Sequence, residues 1–338
     1  MALNSVRHPD GAIGRLSRRS VLKGVTALTA AAASAPWMPA SAWCATILAY
    51  VGTYSNHGEA IYLFSVDTST GALAKIKVFP SVVNPSWLAF TPDRLGHLVR
   101  RQSIERRSYS PQYGDLGRRR SCAPRKAPPG SFALSGHDAP HAHMIHADPA
   151  GNYVIANDLG LDLTIVWILD RTTGKLIDHQ KVPSSAGAGP RYFAFHPNGK
   201  WFYSINEEAS TLAFMTYDAA TGTLTPVQEI STLPHIFVGT NFTSEVIVSA
   251  DGHFVYAANR LHDSVAVFAV RDTGRLRHVG EAWTRGDYPR NVNIDPTGRF
   301  LYACNHRSDS ITAFSIDGAT GDLTFNRQST AVGSLPVR

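Results

Sequence analysis

The chain has 338 residues, a formal net charge of +6, and a composition of 43% hydrophobic and 17% charged residues, which excludes a disordered chain and a multi-span membrane protein. The charge is concentrated: residues 1–42 carry +4 and residues 94–126 carry +8, which leaves −6 on everything else. A body of that sign has no general basic face, so nucleic acid is excluded as a partner.

Taken in chain order, residues 1–42 read as an export signal. Ser17-Arg18-Arg19-Ser20-Val21-Leu22-Lys23 precedes an apolar run from Gly24 to Ala35, and Ala40-Ser41-Ala42 has the small residues of a cleavage site. The run is too short for a stable membrane anchor. The paired arginines resemble a twin-arginine signal, so the twin-arginine export machinery is the expected partner and the periplasm the expected location of residues 43–338. Cys44, Cys122 and Cys304 form no CxxC pair, so neither a disulfide framework nor a cysteine metal site is expected.

From residue 43 onward two signatures alternate. One is a Pro-x-Gly or Asp-Gly turn followed by a strand of alternating apolar residues ending near Asn. It begins at Asp148-Pro149, His196-Pro197, Ala250-Asp251 and Asp295-Pro296. The other is a β-rich strand closing on a Thr-Gly-like turn at Gly71, Gly174, Gly222, Gly274 and Gly321. Such glycines supply positive φ between antiparallel strands. From Gly174 onward they recur after 48, 52 and 47 residues, room for four short strands each. The expected architecture is all-β, a β-propeller of four-stranded blades, and no long helical periodicity competes with it.

Gly71 and Gly174 are 103 residues apart, so one signature is missing between them. The missing copy falls on residues 94–130, an Arg-rich stretch with little alternation. It is expected to be a disordered basic loop or the product of a shifted reading frame. About six blades are therefore expected, one of them damaged or incomplete. The chain ends at Pro336-Val337-Arg338, where a closing strand would begin, so an open ring is one expectation.

Five motifs go beyond a generic repeat: Pro140-His141-Ala142-His143, Gly187-Ala188-Gly189-Pro190-Arg191, Ile205-Asn206-Glu207, Ala258-Asn259-Arg260 and Pro289-Arg290-Asn291. Their order and spacing resemble the bacterial lactonase family, seven-bladed propellers that include 6-phosphogluconolactonases and are related to carboxy-muconate cyclases. The resemblance implies hydrolysis of a small-molecule sugar lactone, either 6-phosphogluconolactone or an unphosphorylated aldonolactone. It assigns the site to His143, Arg191, Glu207 and Arg260, with His141 and Arg290 as substrate contacts. Ring opening needs a base for water, for which His143 or Glu207 would serve, and positive charge at the developing oxyanion, for which Arg191 and Arg260 would serve. His141 and His143 lack an acidic cluster at metal spacing, so no metal and no cofactor is expected. A non-catalytic propeller that binds a ligand or partner, and an inactive damaged paralogue, share the same repeats.

Overall fold

The computed structural model describes residues 2–5, 47–53, 61–80, 85–90, 97–101 and 139–332. Every regular element among them is a β-strand. The first sheet comprises β1 (Ala2–Ser5), β2 (Ile47–Gly52), β3 (Ile61–Val66) and β4 (Leu73–Phe79), in that order. A two-stranded sheet follows, β5 (Pro85–Phe90) against β6 (His97–Arg101). The third sheet holds β7 (Ala142–Ala147), β8 (Tyr153–Asp158), β9 (Leu163–Asp170) and β10 (Lys175–Pro183). The fourth holds β11 (Pro190–Phe195), β12 (Trp201–Asn206), β13 (Thr211–Asp218) and β14 (Thr223–Ser231). β15 (Thr243–Val248), β16 (Phe254–Asn259), β17 (Ser264–Val270) and β18 (Leu276–Trp283) form the fifth. The last sheet is β19 (Pro289–Ile294), β20 (Phe300–Asn305), β21 (Ser310–Ile316) and β22 (Leu323–Ala331).

Each sheet is an antiparallel meander whose strands pair in sequence order. The first strands of successive sheets touch, β7 with β11, β11 with β15 and β15 with β19, and so gather at a common centre. Second strands are the most buried: every residue of β16 and β20 is inside. Fourth strands are largely exposed, as the outer edge of a blade should be. The apolar cores lie between neighbouring sheets. Tyr203, Ile205 and Phe214 pack with Val255, Ala257 and Phe268, and the next sheet continues the pattern with Tyr256, Val267, Leu301 and Phe314.

A repeated latch joins these sheets. The hydroxyl of Tyr203 donates to the carbonyl of Gly274 at 2.9 Å, and that of Tyr256 to Gly321 at 3.1 Å. Tyr302 in the last sheet donates in the same way to Gly71 in the first, at 2.9 Å. The first and last sheets also share one core, from Ile47, Val51 and Phe64 to Phe300, Tyr302 and Ile311. On this side, therefore, the ring is joined.

Two expectations are refined. Part of the Arg-rich stretch, His97–Arg101, is a strand, and its pairing with β5 shifts register between Pro85 and Trp87 as in the regular blades. The rest of the anomalous segment, residues 102–130, lies outside the described residues. Ala2–Ser5, at the start of the expected signal, pairs with β2 in the innermost position of the first sheet. Residues 6–42 and the chain end at 333–338 lie outside the described residues.

Candidate active site

Two positions of the repeat build the site. The first is a β-bulge at the start of the innermost strand in each of the last four sheets. Register shifts between Ala142 and Met144, between Pro190 and Tyr192, between Thr243 and Val246, and between Pro289 and Asn291. A bulge leaves one residue unpaired and re-aims its side chain. The residues so displaced are His143, Arg191, Arg290 and, where the gap spans two residues, Ser244 with Glu245. Proline at 190 and 289 costs no ladder bond, because it opens the strand.

The second position follows the last residue of each second strand, where a tight turn leads to the third strand. Leu159, Glu207, Arg260 and His306 occupy it. Three residues later each turn has a left-handed residue, Asp162 (φ 53°), Ser210 (φ 53°), Asp263 (φ 51°) and Asp309 (φ 47°). Asp and Ser tolerate that conformation by bonding locally, and the turn is thereby held in one shape.

Three sheets bring Arg191, Glu207 and Arg260 into contact. Arg191 Nε lies 2.7 Å from Glu207 Oε2, and Arg260 Nη2 lies 2.6 Å from Glu207 Oε1. Both arginines are buried, at 1% and 4% exposure. Burial opposes the charge on Glu207, yet Arg191, Arg260 and Arg290 together hold its carboxyl below the ordinary range. Arg191 also donates to the carbonyl of Ser244 and stacks on Tyr192, 4.7 Å from the ring centre. Arg260 lies between the rings of Phe242 (5.4 Å) and Tyr288 (5.2 Å). Stacked and ion-paired guanidiniums of this kind keep one planar face fixed.

His143 reaches this group through Tyr192, whose ring is 5.1 Å from its own. His141 stacks on His143 at 6.2 Å, but its ring is exposed, and its backbone N–H is held by Asp158 at 2.7 Å. Arg290 is near enough to act electrostatically on Glu207 and on His306. All six residues expected from the sequence thus lie at the same end of the propeller, with Arg191, Glu207 and Arg260 at the centre and His141 at the rim.

Two residues of the site fall outside the sequence motifs. His306 stands where Glu207 and Arg260 stand in their own sheets. Neither ring nitrogen has a hydrogen-bond partner among the described residues, and burial together with Arg290 pushes its pKa down to about 4. Aligning Asn305-His306 with Asn206-Glu207 and Asn259-Arg260 is the signal that finds it. The other is Glu245, 8% exposed, which accepts a hydrogen bond from Asn291 Nδ2 at 2.6 Å. Its burial raises the carboxyl to about 8, against the opposing pull of Arg191, the chain's α-amino group and Asn291. Its strand opens on Thr243-Ser244 in place of Pro-Arg, so the motif that marks the other blades is absent there. Among the described residues no three His, Cys, Asp or Glu side chains converge as a metal site would require.

The arrangement is therefore a partly buried carboxylate bridging two buried guanidiniums, beside an imidazole, at one end of a propeller. Known proteins are similar to this chain at the level of family and fold. A family model described as "Lactonase, 7-bladed beta-propeller" matches residues 48–99 and 100–337, the two stretches meeting inside the Arg-rich segment. A 6-phosphogluconolactonase of Bacillus subtilis (strain 168) is 30% identical over 336 residues, covering 84% of this chain and 95% of that protein. The periplasmic gluconolactonase PpgL of Pseudomonas aeruginosa superposes with a TM-score of 0.75 at 24% identity, covering 86% of this chain and 98% of the other. A protein of Lactobacillus plantarum superposes with a TM-score of 0.73 at 23% identity, with the same coverage of both chains. The chain belongs to the lactonase family of seven-bladed β-propellers.

Proposed function

We propose that the protein hydrolyses a sugar lactone to the corresponding acid. The observation that carries this reading is the Arg191–Glu207–Arg260 bridge. One carboxylate between two guanidiniums leaves the trio with one net positive charge, buried where a lactone carbonyl oxygen would become an oxyanion. The Bacillus subtilis relative bears the name of a lactonase, which supports the same reaction class.

In this reading the roles divide by charge state. Glu207 has a guanidinium against each oxygen and a lowered pKa, so it is a poor proton acceptor and serves to aim Arg191 and Arg260. His143 is then the base. It takes a proton from water as the oxygen adds to the carbonyl carbon, and Arg191 and Arg260 receive the negative charge. Collapse of the intermediate breaks the ring C–O bond, and the leaving oxygen takes the proton back. Arg290 binds the remote end of the substrate.

We place the reaction in the periplasm, which favours an unphosphorylated aldonolactone over a 6-phosphate. The Arg18-Arg19 signal supports this, as does the structural similarity to a periplasmic gluconolactonase. Acid release from glucono-δ-lactone and from its 6-phosphate, above the spontaneous rate, tests the function. Acceleration that is lost in Arg191→Ala supports it. A folded protein that accelerates neither reaction would make it a binding propeller. Arg18→Lys/Arg19→Lys should strand the protein in the cytoplasm; undiminished export would refute the twin-arginine route.

A further inference from the structure

Directly beneath the Arg191–Glu207–Arg260 bridge, a polar layer joins three innermost strands. The carbonyl of Ser244 takes the Arg191 guanidinium from β11, and the Ser244 hydroxyl donates to the carbonyl of Pro289 on β19 at 2.7 Å. The next residue, Glu245, holds the Asn291 amide of β19 at 2.6 Å. A carboxyl in such a seam needs a reason, because an ionised carboxylate shut away from water is costly unless fully paired. The nearest guanidinium already has Glu207 as its counter-ion.

We propose that Glu245 is a positioning residue of the lactonase site: an uncharged carboxyl that stitches β15 to β19 and leaves Arg191 with a single counter-ion. This rests on the function proposed above. The bridge has one net positive charge to offer an oxyanion. A second carboxylate beside Arg191 would cancel that charge, and the guanidinium would no longer favour the transition state. The charged and titratable groups facing Glu245 are Arg191 on β11, the α-amino group of the chain ahead of β1 and the buried thiol of Cys304 on β20, while β19 presents the neutral Asn291; the two cations favour the carboxylate, and burial outweighs them. Burial keeps the acid form to about pH 8, so the device is set for neutral pH and lost on the alkaline side.

The test uses the full-length chain, with kcat/KM for glucono-δ-lactone measured from pH 6 to 9 and corrected for spontaneous opening. In the wild type kcat/KM should fall about tenfold one pH unit above the ionisation midpoint. Glu245→Gln, which keeps the shape and the contact with Asn291, should abolish that fall. Asn291→Ala removes a hydrogen bond that favours the carboxylate, so it should move the midpoint upward. A profile unchanged in Glu245→Gln, even at a lower rate, would overturn the proposal. Thermal melting gives a reading independent of activity. The wild type should lose stability relative to Glu245→Gln between pH 5 and pH 8, and parallel curves would also overturn it. If no lactone is opened, the function fails while melting still decides whether Glu245 is held uncharged.

Discussion

At the scale of single residues the site is governed by which carboxyl is charged. Glu207, partly buried, and Glu245, buried, are both acids near Arg191, and their environments drive them in opposite directions. Glu207 touches two guanidiniums, so Coulomb attraction exceeds the desolvation cost. Glu245 has a neutral amide as its near contact, so desolvation prevails. Replacing Glu207 by Gln leaves Arg191 and Arg260 buried without their shared counter-ion, which should cost about 3 kcal/mol of stability. It should also lower kcat/KM by about 10²–10³ through the misaimed arginines. Urea unfolding and initial rates check both. The sign of the pH effect follows from the lowered pKa of Glu207. Its stabilisation is present above the unfolded-state value, 4.5, and is lost as pH falls through the folded value. The acid limb of Tm against pH should therefore be shallower in Glu207→Gln than in the wild type.

At the scale of the element, the turn between the third and fourth strands carries the packing between blades. Gly321 has φ +79°, and a Cβ there would meet Phe254 Cδ1 of the preceding sheet at 2.4 Å. Gly199, in the turn before β12, has φ +68° but nothing within 4 Å of where a Cβ would stand. Both Ala variants incur left-handed strain of about 1–2 kcal/mol. Only Gly321→Ala adds overpacking, of about 1–3 kcal/mol. Denaturant midpoints should separate the two, and equal losses would mean that Phe254 moves aside freely. These turns were legible in the sequence because glycine recurs at their positive-φ positions. The bulges were not legible as bulges. Pro190-Arg191 and Pro289-Arg290 stood out as motif residues, but an unpaired, re-aimed residue follows from pairing between strands rather than from either strand alone. Thr243-Ser244-Glu245 has the same bulge without the proline, which is why no motif marks Glu245.

At the scale of the molecule, the join between the first and last sheets decides whether the ring acts as one cooperative unit. Tyr302 reaches Gly71 across that join as Tyr256 reaches Gly321 within the regular array. Tyr→Phe at either position leaves a carbonyl without its donor, at a cost of about 1–3 kcal/mol. Tyr302→Phe and Tyr256→Phe should therefore lower Tm by similar amounts. A loss in Tyr256→Phe with none in Tyr302→Phe would show that the first and last sheets part in solution. On its other connection the first sheet meets the two-stranded sheet through β2 and β5.

The sequence by itself determined the all-β repeat, the turn positions and the family, because alternation, turn glycines and repeat length are local properties written in each copy. It also supplied Arg191, Glu207 and Arg260 as candidates, through the motifs by which the chain resembles its family. Only the tertiary structure decided that one carboxylate bridges both guanidiniums, that Glu245 is buried against Asn291, and that His306 takes the equivalent place in the last sheet. Charge state and ion pairing depend on burial and on neighbours about fifty residues away in sequence. Those are set when separate blades pack around a common centre.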